Sequence, residues 1–173
     1  MSHAWESFYF LVGSAAVGLI GLLFVVVTLT AGFERSRALI GSSIYMTPTV
    51  LHFAVVLAIS AVAIAPGLTV AQTASIFGVA ALVGLGHAIR SCVGIAARRP
   101  GMDPPHWSDF WLYGGAPATI YLGLCAASVG LWNGNDWAAD AIGALLLALL
   151  LLGIRNAWDL VTWIAPRGKG GGE

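Results

Sequence analysis

Apolar runs of about 20 residues, nearly free of charge, dominate this 173-residue chain and constrain its fold more than any other feature. About twenty helical residues are enough to cross the hydrocarbon core of a bilayer, which is about 30 Å thick. Hydrophobic residues make up 58% of the chain and charged residues 9%, whereas soluble domains carry about a quarter charged residues. A water-exposed surface cannot be built from this composition, so the sequence predicts an integral membrane protein.

Five such runs are present, at about residues 8–32, 45–65, 70–97, 110–131 and 137–165. Each run is apolar almost all round, whereas the helices of a soluble bundle show a polar face at the helical period. Pro66-Gly67 separates the second run from the third, and "WNGND" at 132–136 is a turn signal between the fourth and the fifth. We predict an all-α transmembrane bundle forming one domain over residues 1–165, followed by a disordered tail at 166–173.

Basic residues are distributed unevenly over the predicted loops. They lie in the first loop, at the end of the third run and in the loop after it, and in the tail: Arg35, Arg37, Arg90, Arg98, Arg99, Arg167 and Lys169. The N-terminus and the second and fourth loops hold none. Because cytoplasmic loops collect Lys and Arg, the N-terminus is predicted outside and the C-terminus inside. The lead-in before the first run also lacks the basic residues of a secretory signal, so we expect that run to stay in the lipid bilayer.

Ionisable residues occur at a similar depth in three of the predicted spans. Counted at 1.5 Å per residue from the outer ends, His52 lies about 20 Å deep, His87 about 25 Å and Arg155 about 21 Å. A charge at the centre of a membrane helix costs about 3 kcal/mol on insertion scales, and such residues usually face the bundle interior or a wet cavity. The sequence therefore predicts a polar pocket that opens to the cytoplasm between the second, third and fifth helices.

Residues three and four positions apart share a helical face, which adds neighbours to each of these three positions. The candidate binding residues are His52, His87, Arg90, Arg155, Asn156 and Asp159. In this hypothesis Arg155 attracts an anionic group, the histidines exchange protons or hydrogen bonds, and Asn156 and Asp159 hold Arg155 in place. The alternative is structural: Arg155 extends to the inner headgroups with Asp159 as its counter-charge, and each histidine makes one interhelical hydrogen bond.

Small residues recur at four-residue spacing, as at Ser14 and Gly18 in the first span and around Gly84 in the third. Such ridges let helices approach closely, either within one bundle or in contact with a second copy or a partner membrane protein. Pro117 lies inside the fourth span and lacks an N–H. We predict a kink there, with the carbonyl of Tyr113 left without its helical partner.

Motifs for catalysis or metal binding are absent from the sequence. There is no H-E-x-x-H, no G-x-S-x-G and no phosphate loop, so an enzymatic activity is not favoured. Cys92 and Cys125 have no C-x-x-C spacing, and no basic patch indicates nucleic acid. Three functions stay open: binding or transport of a small solute or ion, electron transfer through a b-type haem ligated by His52 and His87, and a non-catalytic membrane scaffold or modulator.

Two stretches resemble a group of uncharacterised small bacterial multi-pass membrane proteins. These are "WESFYFLVGSAAVGLIGLLFVVV" at 5–27, with a W-E-x-F start before a Gly/Ala-rich span, and "GIRNAWDLVT" at 153–162, with an N-A-W-D element. The resemblance covers about a quarter of the chain and implies a multi-pass protein of the bacterial inner membrane. It implies no activity, substrate or cofactor.

Overall fold

The computed structural model describes residues 3–30, 47–96 and 110–164. They form five helices: α1 (His3–Thr30), α2 (Thr47–Ile64), α3 (Val70–Ala96), α4 (Ala116–Trp132) and α5 (Trp137–Ile164), with a π-helical turn over Trp111–Gly115 directly before α4. Together with that turn, all five are long and apolar enough to cross a membrane. The prediction of an all-α chain with five potential spans is confirmed for these residues, which include no strand. The predicted tail at 166–173 lies outside them.

Short turns join two of the helix pairs and fix where the helices begin. The backbone N–H of Thr69 donates to Oε1 of Gln72 at 2.9 Å, and the N–H of Gln72 donates to Oγ1 of Thr69 at 3.3 Å. This reciprocal capping satisfies two of the donors that a helix start leaves free, so α3 begins at Val70. Gly67 and Gly134 adopt φ values of 80° and 74° in the two turns, a conformation that other residues rarely adopt.

The helices run up and down, and each packs against the next in chain order. Gly13 near the start of α1 lies against Ser60 near the end of α2, which makes the first pair antiparallel. Phe53 of α2 lies against Gly153 of α5 in the same antiparallel sense. α2 contacts α1, α3 and α5, and a larger share of its span is buried than in the other four helices.

Charged residues distinguish the two ends of the bundle. One end holds the start of α2, the π turn and the last parts of α3 and α5. It carries Arg90, Arg155 and the Asp159 that pairs with Arg155, and we call it the basic end. The opposite end carries Glu6, Asp136 and Asp140, and we call it the acidic end. Exposed tryptophans lie at both ends of the bundle: Trp132 and Trp137 at the acidic end, and Trp111 and Trp158 at the basic end. This arrangement matches the aromatic belts of membrane proteins.

The core consists of apolar and aromatic side chains at the centre of the bundle, including Tyr9, Phe53, Phe77, Tyr121 and Leu146. Apolar residues also cover the outside, where Phe24, Val79 and Val129 are more than 60% exposed. Such an exterior is unfavourable in water and favourable in hydrocarbon. The fold thus buries a small set of polar side chains inside a helical bundle that is apolar on its surface.

Candidate functional site

Buried polar side chains are few in the part of the chain that the structure describes. They are Thr49, His52, Ser60, Thr73, Ser128 and Asn156. Three of the six lie toward the basic end, on α2 and α5, which contact each other. With the two buried tyrosines that bond to them, they form what we call the His52 cluster: Thr49, His52, Tyr113, Tyr121 and Asn156.

His52 and Tyr121 form the first hydrogen bond of the cluster. Nδ1 of His52 lies 2.8 Å from the hydroxyl of Tyr121, and the histidine is 1% exposed. Gly84 of α3 makes this possible, because a Cβ at that position would overlap the Tyr121 ring. A tyrosine hydroxyl in the middle of a membrane span needs a partner, since the surrounding hydrocarbon offers none. His52 supplies that partner from α2.

Asn156 joins α5 to the beginning of the α4 segment. It is fully buried, and its Nδ2 donates to the carbonyl of Leu112 at 2.9 Å. Its own backbone carbonyl accepts a hydrogen bond from the Tyr113 hydroxyl at 3.3 Å. Two contacts at one residue therefore fix the end of α5 against the π turn.

Pro117 explains why the Leu112 carbonyl needs a side-chain donor. In a π turn the carbonyl of residue i pairs with the N–H of residue i+5, as the Ala116 N–H does with the carbonyl of Trp111. For Leu112 that position is Pro117, which has no N–H. The predicted disruption at Pro117 is thus present, and the π turn, which shifts the pairing by one residue, makes Leu112 the carbonyl that bonds to Asn156 of α5.

Two polar atoms of the cluster have no hydrogen-bond partner among the described residues. They are Nε2 of His52 and Oδ1 of Asn156, both on fully enclosed side chains. Oγ of Ser60 is also unpaired, but it lies near Gly13 toward the acidic end. Leaving a buried donor or acceptor unpaired costs about 1–3 kcal/mol. The two unpaired atoms of the cluster therefore lower the stability of the fold, and both lie in one region of the bundle.

The unpaired atoms lie at nearly the same depth. Phe53 contacts Gly153, and the two helices are antiparallel. His52 is then about 1.5 Å, and Asn156 about 4.5 Å, closer to the basic end than this contact. Because Cα–Cβ bonds tilt toward the helix N-terminus, the two side chains lean toward each other along the bundle axis.

The other four candidate residues lie outside the interior. Arg155 and Asp159 form an ion pair within α5, with Nη1 2.8 Å from Oδ2 and side chains 45% and 43% exposed. His87 and Arg90 are exposed on α3, and Nδ1 of His87 is 3.1 Å from the carbonyl of Val83 in its own helix. The structure thus brings together His52 and Asn156 of the six predicted residues and separates the rest from them.

Helical geometry accounts for this division. Arg155 and Asn156 are consecutive and so lie about 100° apart around α5, which places one of them outside when the other faces the core. The Arg155 side chain also lies at the level of the exposed tryptophans of the basic end, one turn from Trp158. This position fits the structural alternative considered above, in which a long basic side chain extends along apolar surface toward the headgroups.

Tyr113 and Tyr121 were not recognised as site residues from the sequence. A signal was available, because a tyrosine placed well inside a membrane span requires an acceptor or donor on another helix. The small residue Gly84 on the preceding span was the complementary signal for close approach. What the sequence did not show was which helices are neighbours.

Two other features of the bundle, the pair of histidines His52 and His87 and an open cleft, lack the geometry of a polar site. The histidines of the haem hypothesis do not face a common space, since His52 is enclosed and His87 is exposed. The described residues also contain no group of three or more His, Cys, Asp or Glu side chains that could hold a metal ion. An open cleft of about 300 Å³ lies between α1 and α5, lined by Trp5, Phe8, Gly143, Ala144 and Leu147. Its apolar lining offers no chemical group to a polar ligand.

Comparison with known proteins adds no assignment. No family model matches the chain, and neither the curated proteins nor the solved structures include a match. The resemblance to small bacterial membrane proteins therefore stays a prediction. The case for a function rests on the geometry of the His52 cluster.

Proposed function

We propose that this protein is a membrane-embedded binding module for a small polar solute, which it binds at the His52 cluster from the cytoplasmic side. In this proposal the basic end faces the cytoplasm of a bacterium, and the protein lies in the inner membrane. The excess of Arg at that end supports the orientation, because Lys and Arg concentrate on cytoplasmic sides.

The observation that carries the proposal is the pair of unpaired, enclosed atoms on two contacting helices. Nε2 of His52 and Oδ1 of Asn156 both lack a partner among the described residues. Polar residues inside a membrane bundle are expensive, and they commonly mark binding sites or pathways. A bound polar molecule would supply the missing hydrogen bonds and recover part of that cost.

The exposed charges have a different role in this proposal. Arg155 and Asp159 neutralise each other within α5, and both remain partly exposed. They place the end of α5 at the headgroup level and leave its inward side to Asn156. Arg90 and His87 lie on the outer face of α3, so we do not include them among the groups that contact the solute.

Cysteine accessibility tests the proposal. In a parent chain with Cys92→Ala and Cys125→Ala, His52→Cys and Asn156→Cys are each exposed to a membrane-impermeant methanethiosulfonate reagent. Inverted vesicles present the cytoplasmic face and spheroplasts present the outer face. We expect both positions to be modified in inverted vesicles and neither in spheroplasts. The matched control is Ile59→Cys, which is on the same helix and is fully buried in an apolar region; it should not react from either side.

The proposal is wrong if both cluster positions react as slowly as Ile59→Cys from the cytoplasmic face. Folding of each variant is checked first by size-exclusion chromatography in detergent. If one of the two fails this check, Thr49→Cys replaces it, because Thr49 is fully buried on the same side of α2 one turn closer to the basic end.

A scaffold function is the second candidate, and one observation favours it. Ser14, Gly18 and Gly21 are exposed on α1, and a Cβ on either glycine would meet nothing within 4 Å. Their spacing suits close packing against another membrane helix. Gly84 does not belong to this surface, since it packs against Tyr121 inside the bundle. Loss of co-purifying membrane proteins in Gly18→Leu, with the fold retained, would favour this function over solute binding.

A further inference from the structure

The hydrogen-bond roles within the His52 cluster determine what remains available to a ligand. If the Tyr121 hydroxyl donates to Nδ1 of His52, the donor and the acceptor of the 2.8 Å contact are both used. The reverse arrangement would leave the Tyr121 proton without an acceptor, because that hydroxyl makes no second hydrogen bond among the described residues. The first arrangement requires neutral His52 to carry its proton on Nε2. The free group on His52 is therefore an N–H donor.

Asn156 offers the complementary group. Its Nδ2 is the donor to Leu112, so the atom left free is the carbonyl oxygen Oδ1, an acceptor. One donor and one acceptor thus extend from α2 and α5, with their residues about 3 Å apart in depth. A group that accepts from Nε2–H and donates to Oδ1 would satisfy both atoms, and a hydroxyl does so with a single oxygen.

Charge limits the ligand further. Every described Arg, Asp and Glu is exposed or partly exposed, so no charged side chain is enclosed near the cluster. An ion bound there would have no counter-charge in a medium of low dielectric constant, which is costly. An anion would also face the Asn156 oxygen, and a cation would face the histidine N–H. Neither suits the pair of free groups.

We infer that the His52 cluster binds a neutral hydroxyl group, held between Nε2–H of His52 and Oδ1 of Asn156, from either water or a small alcohol. This inference rests on the proposed function and gives the chemical class of its solute. It excludes free anions such as phosphate and acetate as the preferred ligand, although the exposed arginines of the basic end would attract them.

Solid-state NMR of the full-length protein in lipid bilayers tests the inference. Histidines are labelled with ¹⁵N, and the His52 signals are assigned by their loss in His52→Gln. We expect the shifts of the neutral Nε2–H form together with magnetisation transfer from water or added glycerol protons to Nε2–H. Glycerol is added at about 1 M, a concentration at which even weak binding is detected. If the transfer from water is unchanged by it, water is the ligand. Transfer from the carbon-bound protons of glycerol, which do not exchange with water, identifies a small alcohol.

Two control measurements make the result specific. Asn156→Leu keeps the side-chain size and removes the acceptor together with the donor to Leu112. In this variant, once its fold is checked by size-exclusion chromatography, the transfer to Nε2–H should fall at least about threefold, corresponding to roughly 0.7 kcal/mol of lost binding. Sodium acetate and phosphate should leave the His52 shifts unchanged. The inference is overturned by an Nδ1–H form, by the absence of transfer from either hydroxyl source, or by a shift on adding either anion.

The outcomes separate this inference from the proposed function. If the cluster cysteines react from the cytoplasm while His52 responds to an anion, the site exists and its ligand class is wrong. If the cysteines do not react but Nε2–H receives transfer from water, the hydroxyl site is present and the proposed access to it is wrong.

Discussion

Asn156→Ala removes the one side-chain donor that the Leu112 carbonyl has in the described structure, and this loss should lower the free energy of unfolding. The 2.9 Å bond joins the fully buried Asn156 to the half-buried Leu112, and a carbonyl that is fully buried and left without a donor costs about 1–3 kcal/mol. Interhelical hydrogen bonds in membranes contribute less, about 0.6 kcal/mol on average and up to about 1.7. Removing the unpaired Oδ1 offsets part of the loss. We expect a decrease of about 1–2 kcal/mol in the free energy of unfolding.

Pro117→Ala distinguishes this mechanism from a general packing defect. A residue with an N–H at position 117 gives the Leu112 carbonyl a backbone donor. In that background Asn156→Ala should cost less than about 0.5 kcal/mol, so the two substitutions should couple by roughly 1 kcal/mol. Unfolding is measured by titrating SDS into dodecylmaltoside micelles and following the circular dichroism signal of the helices.

Ser128→Ala is the matched control for the loss of a buried polar group. Its hydroxyl donates to the Leu124 carbonyl of its own helix at 2.7 Å, where the backbone already supplies the helical bond. We expect a change within about 0.5 kcal/mol. An equal cost of Asn156→Ala with and without Pro117 would refute the reasoning, because it would show that the Leu112 carbonyl is not what Asn156 stabilises.

Three further substitutions test the packing and the surface. Gly84→Ala should displace the Tyr121 ring and lower the free energy of unfolding by about 1–3 kcal/mol. Gly86→Ala, which has open space around it, should have little effect. Equal thermal stability of the two variants in detergent would contradict the fit of Tyr121 against α3. Arg155→Gln should change unfolding by less than about 0.5 kcal/mol, as expected for an exposed pair within a helix, and a larger loss in the SDS titration would mean that Arg155 has an interior role. Gly18→Leu should leave the unfolding curve of the monomer unchanged, since its Cβ position is open; a clear destabilisation would show that α1 is packed more tightly than the structure indicates.

The sequence predicted the part of the fold that depends on length and apolarity. Each run near 20 residues became a helix, and the breaks at Pro66-Gly67 and at 132–136 became turns. The first helix begins at His3, earlier than the predicted residue 8. Pro117 correctly indicated a local disruption of the fourth span. The sequence did not indicate the π turn, in which the carbonyl of Leu112 also lacks a backbone donor and accepts from Asn156.

The sequence did not show which candidate residues face the core, because it contains little information on how each helix is rotated about its axis. His52 and Asn156 face the core, while Arg155, one position away on α5, and His87 on α3 face outward. In a soluble protein the apolar face of a helix shows which side is buried. In this chain the lipid-facing surface is as apolar as the core, so the sequence pattern contains little information about rotation.

The sequence by itself determined that the backbone must form membrane-length helices, because hydrocarbon leaves unpaired peptide groups no other partner. It also determined the end of the bundle at which basic residues gather. The tertiary structure decided which polar side chains meet, through contacts that no single helix specifies. The absence of a side chain at Gly84 gives the Tyr121 ring its space, and the Tyr121 hydroxyl bonds to His52. Because Pro117 has no N–H, the Leu112 carbonyl accepts its hydrogen bond from Asn156. These contacts depend on close packing between helices, and this packing alone fixes how each helix is turned within the bundle.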